Sequence, residues 1–342
     1  MSKKNSNAIL KKEFKGLKNL SEIYHKFRLK LDKLKKNSYV VAISGGPDSL
    51  ALAALTKSYS LNCYKKVKFF YILIDHKIRK NSSKEANQVK KLLKKFSIDL
   101  KILVNREKIE KNIQGNARKV RYDLLRKFCD EKKIKIILTG HNLEDQVETF
   151  FIRLSRGSGL TGLSAMKTLS DLNKNIKLFR PLLDTKKKYL KQITRISFGK
   201  FFNDPSNRNS KYLRTKIRGL KNPLEQSGIN YEKIIQSISN LASSKETLDK
   251  YINEIIKQTI KNINQEISIN FEKFNNFNQE IKVKLINESI KILKKNYYNP
   301  RSKKVINLIA GLEKKGFKKA TLGGCIFYKK KEHLYVKIEK KY

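Results

Sequence analysis

The sequence predicts an α/β protein with a parallel sheet, followed by a smaller, mainly helical domain that ends in a β-hairpin. Three observations support this fold class. Short β-branched runs alternate with helical stretches from residue 38 to about 155, which is typical of βαβ units. Residues 230–300 instead show helical periodicity and contain no glycine. Residues 321–341 read as two strands with a turn near Lys330 to Glu332.

The individual elements follow from local patterns. Residues 17–36 carry apolar side chains at helical spacing, which predicts a basic amphipathic helix. Buried strands are predicted at 38–44, 67–75, 99–104 and 134–140, and helices at 49–60, 82–96, 116–133 and 143–155. Ligands of such sheets bind beyond the carboxyl ends of the strands, so functional residues are expected there.

The length of 342 residues is about twice that of one average domain. We predict a basic N-terminal helix over residues 1–37, an α/β domain over 38–225 and a basic C-terminal domain over 230–342. Pro223 and Gly228 interrupt the chain at the last boundary. In the terminal hairpin, Leu334, Val336 and Ile338 alternate with Tyr335 and Lys337, so the first three are expected to pack inward. Tyr335 and Lys337 then lie on the other face of the hairpin, where they offer an aromatic ring and a cation.

The charge is the unusual feature of the composition. The chain has 78 Lys and Arg against 30 Asp and Glu, a net charge of +48. Nucleic acid or an anionic membrane is the natural counter-charge, although Lys, Asn and Ile are all frequent and compositional bias explains part of the excess. No apolar run approaches the ~18 residues of a membrane span, and no secretory signal is evident. We therefore expect a soluble cytoplasmic protein without a membrane partner.

The three cysteines are Cys63, Cys129 and Cys325, and they stand far apart. Their number is odd and no CxxC pair exists, which argues against a disulfide framework and against a cysteine-built metal site. A reducing compartment fits this pattern.

The turn after the first strand reads Ser44-Gly45-Gly46-Pro47-Asp48-Ser49. Its two glycines permit a sharp turn and a close approach to a ligand, and the N–H groups that open the next helix attract anions. The Walker lysine is missing. An aspartate beside phosphates requires a cation between them, so Asp48 suggests Mg²⁺. The alternative is an ordinary strand-to-helix turn.

Two further motifs follow the second and third strands. Asp75 and His76 end the second strand, where they can bind ribose or adenine edges. Arg118 and Arg121 are three residues apart, so they share a helix face and can grip phosphate or carboxylate. The alternatives are polar residues at a strand end and a solvated basic helix face.

The segment from Thr139 to Thr149 is the most informative one. His141 follows the fourth strand, and Asp145 and Glu148 share one face of the next helix. The two carboxylates can hold a metal or an ammonium group, or they can simply favour the helix dipole.

These motifs resemble the N-type ATP-pyrophosphatase superfamily and, within it, the tRNA(Ile)-lysidine synthetases. The segment 114–122 is similar to Q-x-x-A-R-x-x-R-Y, and the segment 139–149 to T-x-H-x-x-D-D-Q-x-E-T with Glu144 in place of the first aspartate. The segment 156–163 resembles R-G-S-G-L-x-G-L. Two further departures are Lys77, where the family pattern D-H-G-L-R has glycine, and Asn209, where D-P-S-N-x-D-x-x-Y-x-R has its second aspartate.

The resemblance implies an adenine-nucleotide-type fold and a ligase that joins L-lysine to the wobble cytidine of tRNA(Ile) with a CAU anticodon, releasing AMP and pyrophosphate. It implies ATP and Mg²⁺ as cofactors. The alternation in the terminal hairpin and the lysines 329–331 at its turn favour tRNA binding by residues 230–342, and the alternative is a solvated basic hairpin that only caps the helices. ATP is assigned to Ser44, Gly45, Gly46, Pro47, Asp48, Ser49, Asp75, His76 and Arg118. Catalysis is assigned to Asp48, Arg121, His141, Asp145 and Glu148, and the metal to Asp48 and Asp145.

Two alternatives remain open from the sequence. A cytidine-thiolating enzyme would use the same ATP chemistry, but some of these enzymes carry CxxC pairs that this chain lacks. A non-catalytic RNA-binding protein would explain the charge but leave the Ser44–Ser49 and His141–Glu148 motifs without a purpose.

Overall fold

The computed structural model describes residues 7–63, 67–110, 112–202, 213–263, 265–294, 300 and 302–339. The chain forms two compact units, Met1–Leu241 and Ala242–Tyr342. The division falls within one helix, α11 (Tyr231–Thr259), some residues beyond Pro223 and Gly228. The first part of α11 packs with the core of the first unit, whereas Ile252 and Ile255 belong to the core of the second. A continuous helix gives no sequence signal where one core ends and the next begins.

The six described strands of the first unit form one sheet in the order β3-β2-β1-β4-β6-β5. All neighbours are parallel except β5 and β6. The strands are β1 (Ser38–Ile43), β2 (Lys68–Asp75), β3 (Leu100–Val104), β4 (Ile136–Leu138), β5 (Leu169–Asp171) and β6 (Lys177–Phe179). The helices are α1 (Ala8–Lys11), α2 (Lys18–Asp32), α3 (Pro47–Asn62), α4 (Ser82–Lys94), α5 (Ile113–Glu131), α6 (Leu143–Leu154), α7 (Leu160–Leu163), α8 (Lys187–Phe198), α9 (Leu213–Gly219) and α10 (Lys221–Gln226).

Both faces of this sheet are covered. Along β1, Val41 and Ile43 face a core shared with α2, α3 and α8, while Val40 faces a second core with Leu125 of α5. Helix α3 is buried almost throughout its first half because it lies between the sheet and other helices. The predicted four parallel strands and the helices that alternate with them are confirmed.

The N-terminal helix α2 belongs to the same core as the sheet. Leu20, Tyr24, Phe27 and Leu31 are buried at spacings of three and four residues, which gives α2 one apolar face. Lys30 also donates from Nζ to Asp184 at 2.8 Å. The predicted helix is confirmed.

The second unit combines the end of α11 with a five-stranded antiparallel sheet in the order β7-β8-β11-β10-β9. Its elements are β7 (Ile260–Ile263), β8 (Glu266–Asn270), α12 (Phe271–Asn276), α13 (Gln279–Leu293), α14 (Ser302–Glu313), β9 (Lys319–Leu322), β10 (Cys325–Lys330) and β11 (His333–Ile338). The predicted hairpin corresponds to β10 and β11, with its turn at 331–332.

The hairpin packs as predicted except at its end. Leu334 and Val336 are fully buried against Phe327 and the helices of this unit. Ile338 is 47% exposed, so its predicted inward packing is wrong. The neighbouring strand β8 pairs with β11 only from His333 to Val336, which leaves Ile338 beyond the edge of that pairing.

Candidate active site

A cleft of about 570 Å³ opens at the carboxyl ends of β1, β2 and β4. The order of the strands reverses between β1 and β4, which is where ligands of doubly wound sheets bind. Most of the predicted site residues line this cleft: Ser44, Gly46, Pro47, Asp48, Ser49, Asp75, His76, Arg118, Arg121, His141 and Asp145. Gly45 and Glu148 do not line the cleft, but each is hydrogen-bonded to a residue that does: Gly45 accepts from the backbone N–H of Phe202, and Glu148 from Arg214.

The loop between β1 and α3 is held by hydrogen bonds to one hydroxyl. Oγ of Ser49 accepts from the backbone N–H of Ser44 at 3.1 Å and lies 3.0 Å from Oγ of Ser44. Gly45 has φ of +84°, and a Cβ there would lie 2.8 Å from Cγ2 of Val89. Only glycine fits this turn without displacing α4. The loop therefore opens α3 with its N–H groups toward the cleft.

The turn after β4 touches this loop directly. A Cβ on Gly140 would lie 2.8 Å from the carbonyl oxygen of Asp48 and 3.1 Å from the backbone nitrogen of Ser49. The two turns are therefore in backbone contact, and the missing side chain of Gly140 permits it. This contact was not predicted, because it joins residues about ninety positions apart.

Asp48 is the acidic group of the loop. Burial raises the pKa of Asp48 to about 6, against the lowering effect of the Lys187 ammonium 3.7 Å from Oδ2 and with a further rise caused by Asp145. Oδ1 of Asp48 is buried and has no hydrogen bond of normal geometry from the described residues, although the side-chain amide of Asn142 lies near enough to lower the pKa of Asp48. A buried carboxylate oxygen without a donor suits a divalent cation, since Mg²⁺ takes oxygen ligands and usually needs only one or two carboxylates beside water and phosphate.

The fit to Mg²⁺ rests on this single protein oxygen. Within the described ranges, no group of three or more His, Cys, Asp or Glu is arranged to hold a metal ion by itself. A cation at Asp48 would therefore depend on the phosphates of a bound nucleotide for further ligands.

The predicted acidic pair begins helix α6. Asp145 and Asn142 form a capping box, in which each side chain accepts from the backbone N–H of the other. Oδ1 of Asp145 also accepts from Nη2 of Arg214 at 2.8 Å. Glu148 is only 3% exposed and lies between two guanidinium groups, with Nε of Arg214 and Nε of Arg218 each 2.6 Å from one of its oxygens. Two arginines of α9 thus pair with the acidic residues, and most of these contacts fall on Glu148.

His141 is surrounded by positive charge. The pKa of His141 is lowered to about 3, first by burial and then by the charges of Arg180, Arg118, Arg214 and Arg121. Nδ1 of its ring lies 2.8 Å from Oγ1 of Thr139. The imidazole is consequently neutral at physiological pH in the ligand-free protein.

The two residues at the end of β2 differ in their surroundings. Oxygens of Asp75 accept from the hydroxyls of Ser82 and Ser83 and from the backbone N–H of Lys77, so this carboxylate organises the start of α4. His76 has both ring nitrogens buried without a hydrogen-bond partner among the described residues. Burial and the charge of Arg121 lower the pKa of His76 to about 4.

Several cleft residues were not predicted. Lys187 and Lys191 of α8 line the cleft beside the Asp48 loop. They are four residues apart on one helix face, but this signal is lost among so many lysines. The ion pairs of Arg214 and Arg218 with the acidic pair were also missed, because residues nearly seventy positions apart give no local pattern. Residues 204–212, which resemble the family pattern D-P-S-N-x-D-x-x-Y-x-R around Asn209, lie outside the described residues.

The comparisons with known proteins agree with this geometry. Residues 18–224 match the PP-loop domain family. The chain is 32% identical over 308 residues to the tRNA(Ile)-lysidine synthase of Wolbachia pipientis wMel, covering 88% of this chain and 70% of that relative. The chain belongs to the tRNA(Ile)-lysidine synthase family. The synthase of Orientia tsutsugamushi is 42% identical over 183 residues, which cover 53% of this chain and 40% of that protein.

Among solved structures, the U34-tRNA thiolase NcsA from Methanococcus maripaludis has a TM-score of 0.55 at 20% identity, over 66% of this chain and 80% of that one. At this identity the likeness supports the fold alone. The residues that match the PP-loop domain include all of the six-stranded sheet. None of the described helices has both the length and the apolar character needed to cross a membrane.

The glycine-rich segment after α6, which includes the residues 156–163 that resemble R-G-S-G-L-x-G-L, is hydrogen-bonded to that helix. Nη1 of Arg153 donates to the carbonyl oxygens of Gly162 and Ala165 at 2.6 and 2.9 Å. Gln146 and the backbone of Met166 exchange two hydrogen bonds. In this member of the lysidine synthase family the segment is therefore a held turn rather than a free connector.

Proposed function

We propose that this chain ligates L-lysine to the wobble cytidine of tRNA(Ile) with a CAU anticodon, using ATP and Mg²⁺ in the cytoplasm and releasing AMP and pyrophosphate. The observation that carries the proposal is the meeting of two turns in one cleft: the Ser44–Ser49 loop and the start of α6 at Asn142. One turn suits a phosphate chain and the other presents a carboxylate to a cationic substrate.

ATP is proposed to place its phosphates on the Ser44–Ser49 loop, at the N-terminus of α3. Mg²⁺ on Asp48 would neutralise the phosphate oxygens that lie beside that carboxylate. The two unpartnered nitrogens of His76 suit an adenine edge, since such a base offers both a donor and an acceptor. Arg118 and Arg121 add positive charge to the lining of the same cleft.

The reaction follows from the poor leaving ability of the cytosine C2 oxygen. That oxygen attacks the α-phosphorus of ATP, a P–O bond forms, and the bond to pyrophosphate breaks. The ε-amine of lysine then attacks C2, and AMP departs with the former C2 oxygen, while the amine loses a proton. The protein positions the reactants and stabilises the developing charge, and the wobble base must leave its stack to enter the cleft.

The cysteines give no support to a thiolation reaction. Cys129 and Cys325 are buried in the cores of different units, and Cys63 packs against a third set of apolar side chains. Burial raises the pKa of Cys129 to about 12, which suppresses its thiolate. A sulfur carrier requires an accessible thiolate.

We propose that the second unit contributes tRNA binding through one face of its sheet. We call this face the outer sheet face and define it by Lys319, Tyr328, His333, Tyr335 and Lys337. The residues that alternate with them and pack in the core are Ala320, Phe327, Leu334 and Val336. Tyr328 and Tyr335 stack with ring centroids 5.5 Å apart, and Nζ of Lys337 lies 5.0 Å from the Tyr328 ring. Aromatic rings interleaved with cations are typical of surfaces that bind unpaired nucleotides.

The direct test is incubation with ATP, isotope-labelled lysine and unmodified tRNA(Ile), followed by nucleoside mass analysis. Labelled lysidine, together with AMP and pyrophosphate, is the expected result. Formation of ADP and phosphate, or of a thiolated nucleoside when sulfide is supplied, would contradict the proposal.

A cysteine-free variant separates ligation from thiolation. We expect the triple replacement of Cys63 by Ser, Cys129 by Ala and Cys325 by Ala to keep the chemical step within about threefold, provided that the variant is folded. Loss of the chemical step in a protein with native circular dichroism would restore the thiolation alternative.

A further inference from the structure

The two carboxylates of α6 are equivalent in the sequence but not in the structure. Asp145 lines the cleft, and its side chain is 15% exposed. Glu148 does not line the cleft and is nearly fully buried. A substrate ammonium group entering the cleft therefore meets Asp145 first.

The oxygens of Glu148 are occupied by guanidinium donors. Oε1 accepts from Nε of Arg218 at 2.6 Å, while Oε2 accepts from Nε of Arg214 at 2.6 Å and from Nη2 of Arg218 at 3.2 Å. Such charge-assisted pairs fix the direction of a planar guanidinium, not only its charge. Glu148 thus holds both arginines in place, and Asp145 contributes to the position of Arg214 through its Oδ1.

Both arginines reach the cleft from this anchor. Arg214 and Arg218 line it together with the Ser44–Ser49 loop. Burial alone would lower the pKa of Arg218, but its pairing with Glu148 and the nearby charges of Asp145 and Asp48 raise it. Because Arg218 and the Ser44–Ser49 loop line the same cleft, this guanidinium borders the space that the loop offers to phosphate.

We infer that Glu148 is a positioning residue that directs Arg214 and Arg218 at the phosphates of the nucleotide, whereas Asp145 is the carboxylate that receives the lysine ammonium. This inference rests on the proposed function for the identity of the cationic substrate, but its nucleotide part stands by itself. Asp145 thus touches a substrate, whereas Glu148 acts only through the two arginines that it holds.

The sign of an affinity change tests the inference. Removing a negative charge strengthens binding of an anion if charge alone matters. If Glu148 instead holds two guanidiniums in the direction of the phosphates, removing its negative charge weakens binding of the anion. The probe is an ATP analogue with a methylene bridge between the α- and β-phosphorus, titrated calorimetrically with Mg²⁺ into the full chain.

We expect Glu148→Gln to weaken binding of the analogue about tenfold, the size of one lost charge-assisted hydrogen bond. Asp123→Asn is the control, because Asp123 pairs with Arg126 on α5 at 3.3 Å and does not line the cleft. That control should bind the analogue as the wild type does. Arg218→Lys keeps the charge but loses the planar fork, so it should also weaken binding and serves if Glu148→Gln does not fold.

The kinetic arm separates the two carboxylates. In lysidine formation, Asp145→Asn should raise KM for lysine about tenfold or more, whereas Glu148→Gln should change it less than threefold and lower kcat. Tighter or unchanged analogue binding by Glu148→Gln, or an equal rise of lysine KM in both variants, would overturn the inference.

Failure of the proposed function would look different. If the wild-type chain binds the analogue but forms no lysidine, the proposed lysine ligation is wrong. The calorimetric comparison of Glu148→Gln with the wild type then still decides whether Glu148 positions the arginines. A wild-type chain that does not bind the analogue would overturn both.

Discussion

At the scale of single residues, the site contains groups whose pKa values differ from their ordinary values because they are buried. Asp48 is buried beside the anion-binding loop with one oxygen lacking a donor among the described residues, and its pKa is raised to about 6. Its ionised form is therefore disfavoured in the folded protein without a cation. A bound cation removes that penalty, which couples metal binding to the loop.

Asp48→Asn tests this coupling. Because the amide cannot act as an anionic ligand, we expect turnover to fall by about 10²-fold or more, comparable to the loss of a preorganised charge stabiliser. In metal-free buffer at pH 8, the variant should be as stable as the wild type or more stable, since the cost of ionising a buried carboxyl is absent. Turnover and urea unfolding in EDTA measure the two effects, and unchanged turnover would contradict the role of Asp48.

The two histidines of the cleft make the fold sensitive to acid. His141 and His76 have pKa values lowered to about 3 and about 4, whereas an unfolded histidine titrates near 6.5. A depressed pKa means that the unfolded chain takes up the proton first. Stability is therefore fully present above pH 6.5 and is lost as pH falls from there toward the folded values.

Comparison of unfolding at pH 8 and pH 5 measures this effect. Each histidine should cost up to about 2 kcal/mol of unfolding free energy over that interval. His141→Gln has no imidazole to protonate, so it should lose about 2 kcal/mol less than the wild type does between the two pH values. An identical pH dependence in both proteins, measured by urea unfolding without nucleotide, would contradict burial of a neutral His141.

At the scale of elements, the contact between two turns positions the site. The sequence predicted both turns because each follows a strongly β-branched strand. It did not predict that Gly140 lies against the backbone of Asp48, since that contact depends on β1 and β4 being neighbours in the sheet. The strand order is set by packing of the whole sheet and leaves no trace in the local pattern.

Gly140→Ala tests the turn contact. Its Cβ would lie under 3 Å from the backbone of Asp48, so the loop must move. We expect weaker ATP binding, by about tenfold or more, because the N–H groups no longer match the phosphates.

Gly311→Ala is the matched control for this substitution. A Cβ there meets nothing within 4 Å, and Gly311 lies within α14. We expect it to stabilise the protein by about 0.5–1 kcal/mol without changing ATP binding. Equal ATP affinity in both glycine variants would show that the contact at Gly140 is not needed.

The elements that the sequence did not predict have identifiable physical reasons. Strands β5 and β6 contain three residues each, too few to show a period. Strand β8 buries Ile267 and Ile269, but only the short strand β7 separates it from a long helix rich in the same residue, so the change of period was hidden. Side-chain type alone does not distinguish helix from strand in such a segment.

At the scale of the whole molecule, the positive charge is spread over both units. Residues 242–342 carry 23 Lys and Arg against 10 Asp and Glu, a smaller excess than the first unit holds. General attraction to tRNA is therefore a property of the entire chain. What distinguishes the second unit is the arrangement of rings and cations on the outer sheet face, not its net charge.

This distinction predicts two different responses to salt. In the full chain, Tyr335→Ala should weaken tRNA binding by about 1–3 kcal/mol through lost stacking while leaving the log–log salt slope unchanged. Replacement of the exposed Lys330 and Lys331 by Gln should reduce the slope by about 0.7 for each phosphate contact that is lost. Because the first unit keeps its own charge, neither variant should abolish binding. Filter binding at several salt concentrations measures both quantities, and wild-type affinity and slope in both variants would mean that tRNA does not contact this part of the second unit.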